Sequence, residues 1–340
     1  MTQLTSDATT QSGEPAKTPG NSRPGLATWA ALLAVWVVWG STYLAIRVAD
    51  RSIPPFAMAG ARYLAAGALL YPLASLGSRR RQAAAPGPGA RATPSRLAQW
   101  GGMAVVGTLL LAFGNGGVSY AEQTLPSGLA ALLVASVPLW MALADRVING
   151  QRIPLLGWLA LVIGIGGIAV LARPSGNGEV LPILVVLGAS VSWGIGSVLA
   201  GRLPAPASPL VGSAMEMLTG GIVLTVLAAA TGELAHIDPA RVSGESLLGL
   251  LYLIGPGSLV GLTCYVIALR RLPTAVVSTY TYVNPVVAVS LGALFLGERP
   301  TLATLLGGAI VVIAVAMLLV NRSSGGSAEP AAGRGGELGP

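Results

Sequence analysis

Two ionisable side chains, Arg62 and Glu216, stand deep inside long apolar runs. A charge held in hydrocarbon is costly, so such a residue is a functional hypothesis by default. Arg62 falls about eight residues from one end of its run, and Glu216 about eight from the opposite end of its own. At 1.5 Å per residue each lies roughly 12 Å deep, leaving them about 6 Å apart along a ~30 Å core. Two chemistries fit. One is structural: an ion pair, direct or through water, or an arginine capping a neighbour's carbonyls. In the other, Glu216 takes up a proton and couples a larger event to the proton gradient.

A second constellation is polar and aromatic. Tyr280 and Asn284 stand four apart, on one helical face, and offer an aromatic wall beside an amide that both donates and accepts. Trp39, Ser41 and Tyr43 in the first apolar run, Asn115 and Ser119 in the third, and Tyr265 in the eighth are candidates for the same small-molecule cavity. Trp36 and Trp39 lie near mid-run, whereas anchoring tryptophans belong at the membrane surface. The competing reading is ordinary helix packing, with hydroxyls satisfied by backbone carbonyls. Pro138 and Pro285 lie inside runs, where each frees the carbonyl four residues back, at Val134 and Thr281, and kinks a helix. Interruptions at matching places in two halves point to a binding site, against a fixed kink that only shapes packing. Glu122 and Asp145 fall near run ends and are expected at the interface.

Other chemistries are excluded. One cysteine, Cys264, and one histidine, His236, supply neither a disulfide framework nor a Cys/His metal cluster. No Gly-rich phosphate loop occurs. No metal and no cofactor are therefore expected.

The elements that must position these residues are membrane helices. Of the 340 residues, 53% are hydrophobic and only 10% charged, against about a quarter charged in soluble domains. A spanning helix needs roughly twenty apolar residues, and about ten such blocks fall near 29–49, 54–76, 99–119, 126–145, 154–172, 182–202, 208–230, 246–269, 273–296 and 301–320. The 46 glycines then suit close helix contacts, as in Gly164–Gly167 and Gly307-Gly308. Residues 1–28 and 321–340 read as disordered tails, the first without a signal-peptide pattern. With the N-terminus inside, about fourteen basic residues fall in inside segments and five outside, so both termini are expected to be cytoplasmic. The net charge of +7 is this orientation signal and meets anionic lipid, not nucleic acid.

The two halves also match. Trp39-Gly40 corresponds to Trp193-Gly194 and Arg62 to Glu216, both 154 residues apart. Leu125-Pro126 corresponds to Leu272-Pro273, Pro138 to Pro285, and Gln151-Arg152 to Glu298-Arg299, each 147 apart. Five helices per half, an odd number, insert the second half (182–320) oppositely to the first (29–172). The expected fold is all-α integral membrane, ten transmembrane helices as two inverted-topology five-helix repeats, a design that permits alternating access.

The stretches Trp39-Gly40-Ser41-Thr42-Tyr43, Pro54-Pro55 with Ala61-Arg62-Tyr63, Leu125 to Leu133, and Asn284-Pro285 with Leu296-Gly297-Glu298-Arg299 resemble the drug/metabolite transporter superfamily, and within it the EamA-type permeases. The resemblance covers about residues 29–320. It implies a bacterial ten-helix exporter of metabolites or drugs in the plasma membrane. One departure is that Gln151 stands where this family often places an acid, retained in the second half as Glu298. An integral membrane enzyme acting on lipid or isoprenoid is the alternative, but it needs clustered catalytic groups, and the carboxylates here are scattered. A channel would need charge rings or a filter sequence. The aromatics, hydroxyls and amide suit an amphipathic solute with little net charge, exported by alternating access with protons as candidate coupling partners.

Overall fold

The structure is a computed structural model, and it describes residues 25–84, 94–172 and 180–325. The tails expected to be disordered lie mostly outside these residues. Within them helix already begins at Leu26, and the last helix continues to Gly325. The helices are α1 Leu26–Ala49, α2 Pro55–Ala84, α3 Arg96–Glu122, α4 Ser127–Asn149, α5 Leu155–Leu171, α6 Val180–Ala200, α7 Pro209–Ala230, α8 Gly244–Arg271, α9 Tyr280–Phe295 and α10 Leu302–Gly325. No strand occurs among the described residues. Among the described residues, seven of the helices are long and apolar enough to cross a membrane, and α5 and α9 are shorter apolar helices. Large apolar side chains such as Val162, Leu184, Leu248, Val286 and Ile313 are exposed, as hydrocarbon permits and water does not.

Four helices depart from plain α geometry. In α3 the stretch Thr108–Asn115 is π-helical, and in α8 so is Leu253–Val260. Glycines crowd both, and Pro256 lies inside the second, where its missing N–H removes one backbone bond. A π turn inside a helix is rare and often marks a working position. Helix α4 breaks at Ala135–Ser136, where the backbone tightens to i−3 bonds from Ser136 to Leu133 and from Leu139 to Ser136. A similar break at Ser278–Thr279 separates α9 from the short turn Thr274–Val277. Pro138 therefore sits in the first turn of the second segment of α4, where a missing N–H costs nothing, and not within a continuous helix. Pro285 does lie inside α9.

Helices meet through glycine. An added Cβ on Gly60 would lie 2.8 Å from Thr225, and one on Gly67 2.9 Å from Leu218; one on Gly221 would lie 2.9 Å from the Leu64 backbone. This sets α2 and α7 antiparallel and almost backbone to backbone. Gly167 and Gly307 join α5 to α10 in the same way, as the glycine spacing predicts. Gly40 packs α1 against Val287 of α9, and its counterpart Gly194 packs α6 against Met141 of α4. The largest buried cluster, with Leu133, Leu139, Leu161 and Val311, fills the space among α4, α5, α6 and α10.

Candidate functional site

Three of the aromatic candidates converge. The Trp39 ring lies 5.1 Å from Tyr265 and 5.2 Å from Tyr280, centroid to centroid, and the two tyrosines are 5.8 Å apart edge to face. These are favoured aromatic geometries, assembled from α1, α8 and α9. Gly261 of α8 gives Trp39 its place, since any Cβ there would collide with the indole. Asn284 is buried beneath the group. Its amide nitrogen, oriented to satisfy both partners, donates to the carbonyls of Tyr280 at 3.1 Å and Trp36 at 3.2 Å. The amide thus ties α1 to α9 and keeps its oxygen as an acceptor. Ser41 extends the group: its Oγ donates to the Val38 carbonyl at 2.9 Å and lies 2.6 Å from the Tyr252 hydroxyl. Tyr43 lies within electrostatic reach of Tyr280, Tyr63 and Glu122.

Other candidates go elsewhere. Arg62 does not pair with Glu216. The glycine contacts put Gly60, Leu64 and Gly67 on the face of α2 that meets α7, and Ala214, Leu218, Gly221 and Thr225 on the answering face. At 100° per residue Arg62 and Glu216 each point nearly opposite to that interface. The antiparallel register also sets Arg62 level with residue 223, about 10 Å along the axis from Glu216. Rotation about the helix axis, and not depth alone, decides the contact.

Arg62 instead donates from Nε to Ser258 Oγ at 3.0 Å and from Nη1 to Asn115 Oδ1 at 3.4 Å, and its cation lies 4.8 Å from the Tyr63 ring centroid. Ser258 and Asn115 lie in the two π-helical stretches. One buried guanidinium therefore ties both distorted turns to α2, and Asn115 serves that tie and not the aromatic group. The Ser119 hydroxyl is sealed without a hydrogen-bond partner. Glu216 is half-buried, and among the described residues its carboxylate takes part in no hydrogen bond or ion pair.

At the end where α1 finishes, a polar cavity of ≈ 450 Å³ is lined by Arg47, Asp50, Arg51, Glu122, Gln123 and, from beyond α9, Glu298. Glu122 is fully buried, which corrects its expected place at the interface. The sequence conceals this because Glu122 ends a run; only packing by α1 and the α9 terminus covers it. Glu298 caps a helix across the molecule. Its two carboxylate oxygens accept from the first-turn amides of α4, Ser127 N at 2.8 Å and Gly128 N at 3.1 Å, where the helix end is positive. Gly297, at φ 66°, makes the turn that aims it, and the Glu298 N–H returns to the Gly292 carbonyl at 3.1 Å. Just outside the spans, burial pushes the Asp50 carboxyl well above the usual carboxylate range, helped by Glu233 and opposed by Arg47. A second, apolar hollow of ≈ 640 Å³ lies between α3 and α6, with Phe113, Tyr120, Val185 and Ile195 on its walls.

A glycine-packed bundle of apolar helices, with buried charge and polar groups drawn from several helices, defines a multi-pass membrane protein of the transporter class. The family model of the EamA-like transporter family matches twice, at residues 27–173 and 180–320, and the chain belongs to that family. It is 37% identical over 301 residues to the inner membrane transporter YedA of Escherichia coli K12, covering 87% of this chain and 92% of that one. It is 30% identical over 303 residues to the "Probable terminal-alkyne amino-acid exporter" of Streptantibioticus cattleyicolor, covering 87% and 93%. With the "Probable amino-acid metabolite efflux pump" of Escherichia coli K12 it shares 24% over 291 residues, covering 83% and 91%. A solved crystal structure with 19% sequence identity superposes with a TM-score of 0.55, over 87% of this chain and 98% of that one, a likeness of fold.

Proposed function

We propose that the chain exports a small amphipathic metabolite or drug across a bacterial plasma membrane by alternating access, with its termini on the cytoplasmic side. The two stretches matched by one family model act as two five-helix halves inserted in opposite orientations. The paired π-helical stretches, the paired breaks before α9 and within α4, and the answering contacts of Gly40 and Gly194 support this reading. The observation that carries the solute site is the Trp39, Tyr265 and Tyr280 cluster above Asn284, three rings from three helices, two of which, α8 and α9, are interrupted. Aromatic faces and one free amide oxygen hold an amphipathic solute without demanding charge. The names of the relatives favour amino-acid-like solutes. Glu216, half-buried and without a hydrogen bond, is the candidate for proton coupling.

Reconstitution in liposomes tests this. Counterflow, in which unlabelled internal solute drives labelled solute inward, is expected for wild type, with amino acids and their derivatives as the first panel. Trp39→Ala should lower the affinity severalfold. A pH gradient should accelerate efflux in wild type and not in Glu216→Gln. Gradient dependence that survives this substitution removes Glu216 from coupling, and absence of saturable counterflow removes the carrier reading.

A further inference from the structure

The polar cavity where α1 finishes carries charge that the bundle does not use. Of its two arginines, Arg51 pairs with Glu245 at 3.0 Å, and Arg47 donates to the backbone carbonyl of Glu122. Of its three carboxylates, Glu298 is spent on the α4 amides. Asp50 and Glu122 remain: all four of their oxygens are buried, and none has a hydrogen-bond partner. A bare buried carboxylate is among the costliest groups a protein can hold, so each needs a proton or a cation. With Arg51 neutralised by Glu245, one positive charge, Arg47, faces three negative ones, Asp50, Glu122 and Glu298, and Glu233 adds further negative potential at Asp50. Tyr43 lies beside Glu122 from α1.

We propose that this cavity binds the ammonium group of an amino-bearing solute, with Glu122 and Asp50 as its acceptors. The volume decides against a bare ion: ≈ 450 Å³ lies within the range of small-molecule sites. Among the described residues no group of three or more His, Cys, Asp or Glu closes to metal-ligand distance. An ammonium needs only acceptors spaced around it, because its three donors rotate freely. The amide of Gln123 and the remaining N–H groups of Arg47 line the same space, so a carboxylate on the solute is accepted as well. A primary amine or a zwitterionic amino acid fits; a carboxylic acid without the amine does not, since it leaves both acids bare and adds a third negative charge. The inference narrows the proposed export reading to amino-bearing solutes and assigns them a second station distinct from the aromatic cluster.

The test uses the full chain in detergent micelles and reads binding, not flux. A carbodiimide that modifies protonated carboxyls in apolar surroundings is applied with and without phenethylamine, L-phenylalanine or 3-phenylpropionate. Modification at Glu122 is then quantified by peptide mass spectrometry. Phenethylamine and L-phenylalanine should protect Glu122 severalfold, and 3-phenylpropionate should leave it reactive. In calorimetry Glu122→Gln should weaken phenethylamine at least about tenfold, ~1.4 kcal/mol. Protection by none of the probes, equal protection by all three, or a Glu122 that is unreactive without probe overturns the ammonium site. The wild-type labelling stands even where Glu122→Gln does not fold. Amine protection without counterflow keeps this site and removes the export reading; counterflow without amine protection does the reverse.

Discussion

Replacing Glu298 tests the structure at the point where the end of α9 meets the start of α4. Its carboxylate satisfies two of the four backbone N–H groups that α4 leaves without intrahelical partners. A capping acceptor is worth about 1 kcal/mol, and a negative charge at the positive end of a partly buried helix adds up to ~2 kcal/mol. Glu298→Ala should therefore cost about 2–3 kcal/mol. Glu298→Gln keeps one acceptor and loses the charge, at about 1–2 kcal/mol. Taking ~2.1 cal/mol/K of unfolding entropy per residue for 340 residues, the alanine variant should melt about 3–4 °C below wild type, with glutamine between them. Melting followed by tryptophan emission in detergent, at one fixed scan rate, reads this order. High salt should change it little, because the contacts are partly buried. An alanine variant that melts with wild type, or a glutamine variant below alanine, would refute the assignment of Glu298 as the cap of α4.

Three further outcomes are expected. Gly67→Ala forces a methyl against the Leu218 and Ala214 backbone and should cost about 1–3 kcal/mol, while Gly166→Ala, whose added Cβ meets nothing within 4 Å, should be neutral or stabilising by ~0.5–1 kcal/mol; thermal melting of the pair reads the contrast. Arg62→Met leaves Asn115 and Ser258 without their donor and should cost about 2–3 kcal/mol, with Arg62→Lys intermediate, again by melting. Asp50 has its folded pKa raised above the ordinary 3.8, so the folded state binds the proton more tightly and loses stability as pH rises from 3.8 toward that higher value. Asp50→Asn should abolish this loss, giving a variant more stable than wild type at neutral pH and converging with it below pH 3.8, in melting curves taken across pH without added amine.

Much of this architecture is legible in the residues. Apolar runs of twenty mark the helices because hydrocarbon thickness sets their length. Glycines at Gly167 and Gly307 announce close approach because nothing larger fits. Trp39, Tyr265, Tyr280 and Asn284 were recognisable as polar or aromatic groups where lipid-facing side chains would be aliphatic. What stayed hidden is rotational or long-range. Hydropathy is the same at every angle around a helix, so it cannot tell that Arg62 turns from α7 toward Asn115 and Ser258. The π-helical stretches leave only a weak trace, in Gly114-Asn115-Gly116-Gly117 and Gly255-Pro256-Gly257. Glu122 looks interfacial by position, and only the packing of α1 and the end of α9 buries it.

The contacts between Gly60 and Thr225, Gly167 and Val311, Gly40 and Val287, and Glu298 and Ser127 all join the stretch 27–173 to the stretch 180–320. This has a consequence for biosynthesis. At about 5–20 residues per second the ribosome delivers the first stretch roughly 7–30 s before the second is complete. During that interval α2 and α5 sit in lipid with their glycine faces unmatched, and α4 has an uncapped N-terminus. Each contact waits for its own partner, α7 for α2, α9 for α1 and α10 for α5, so the nascent chain passes through a waiting state in the bilayer. Truncation between α5 and α6 leaves all four contacts unmade.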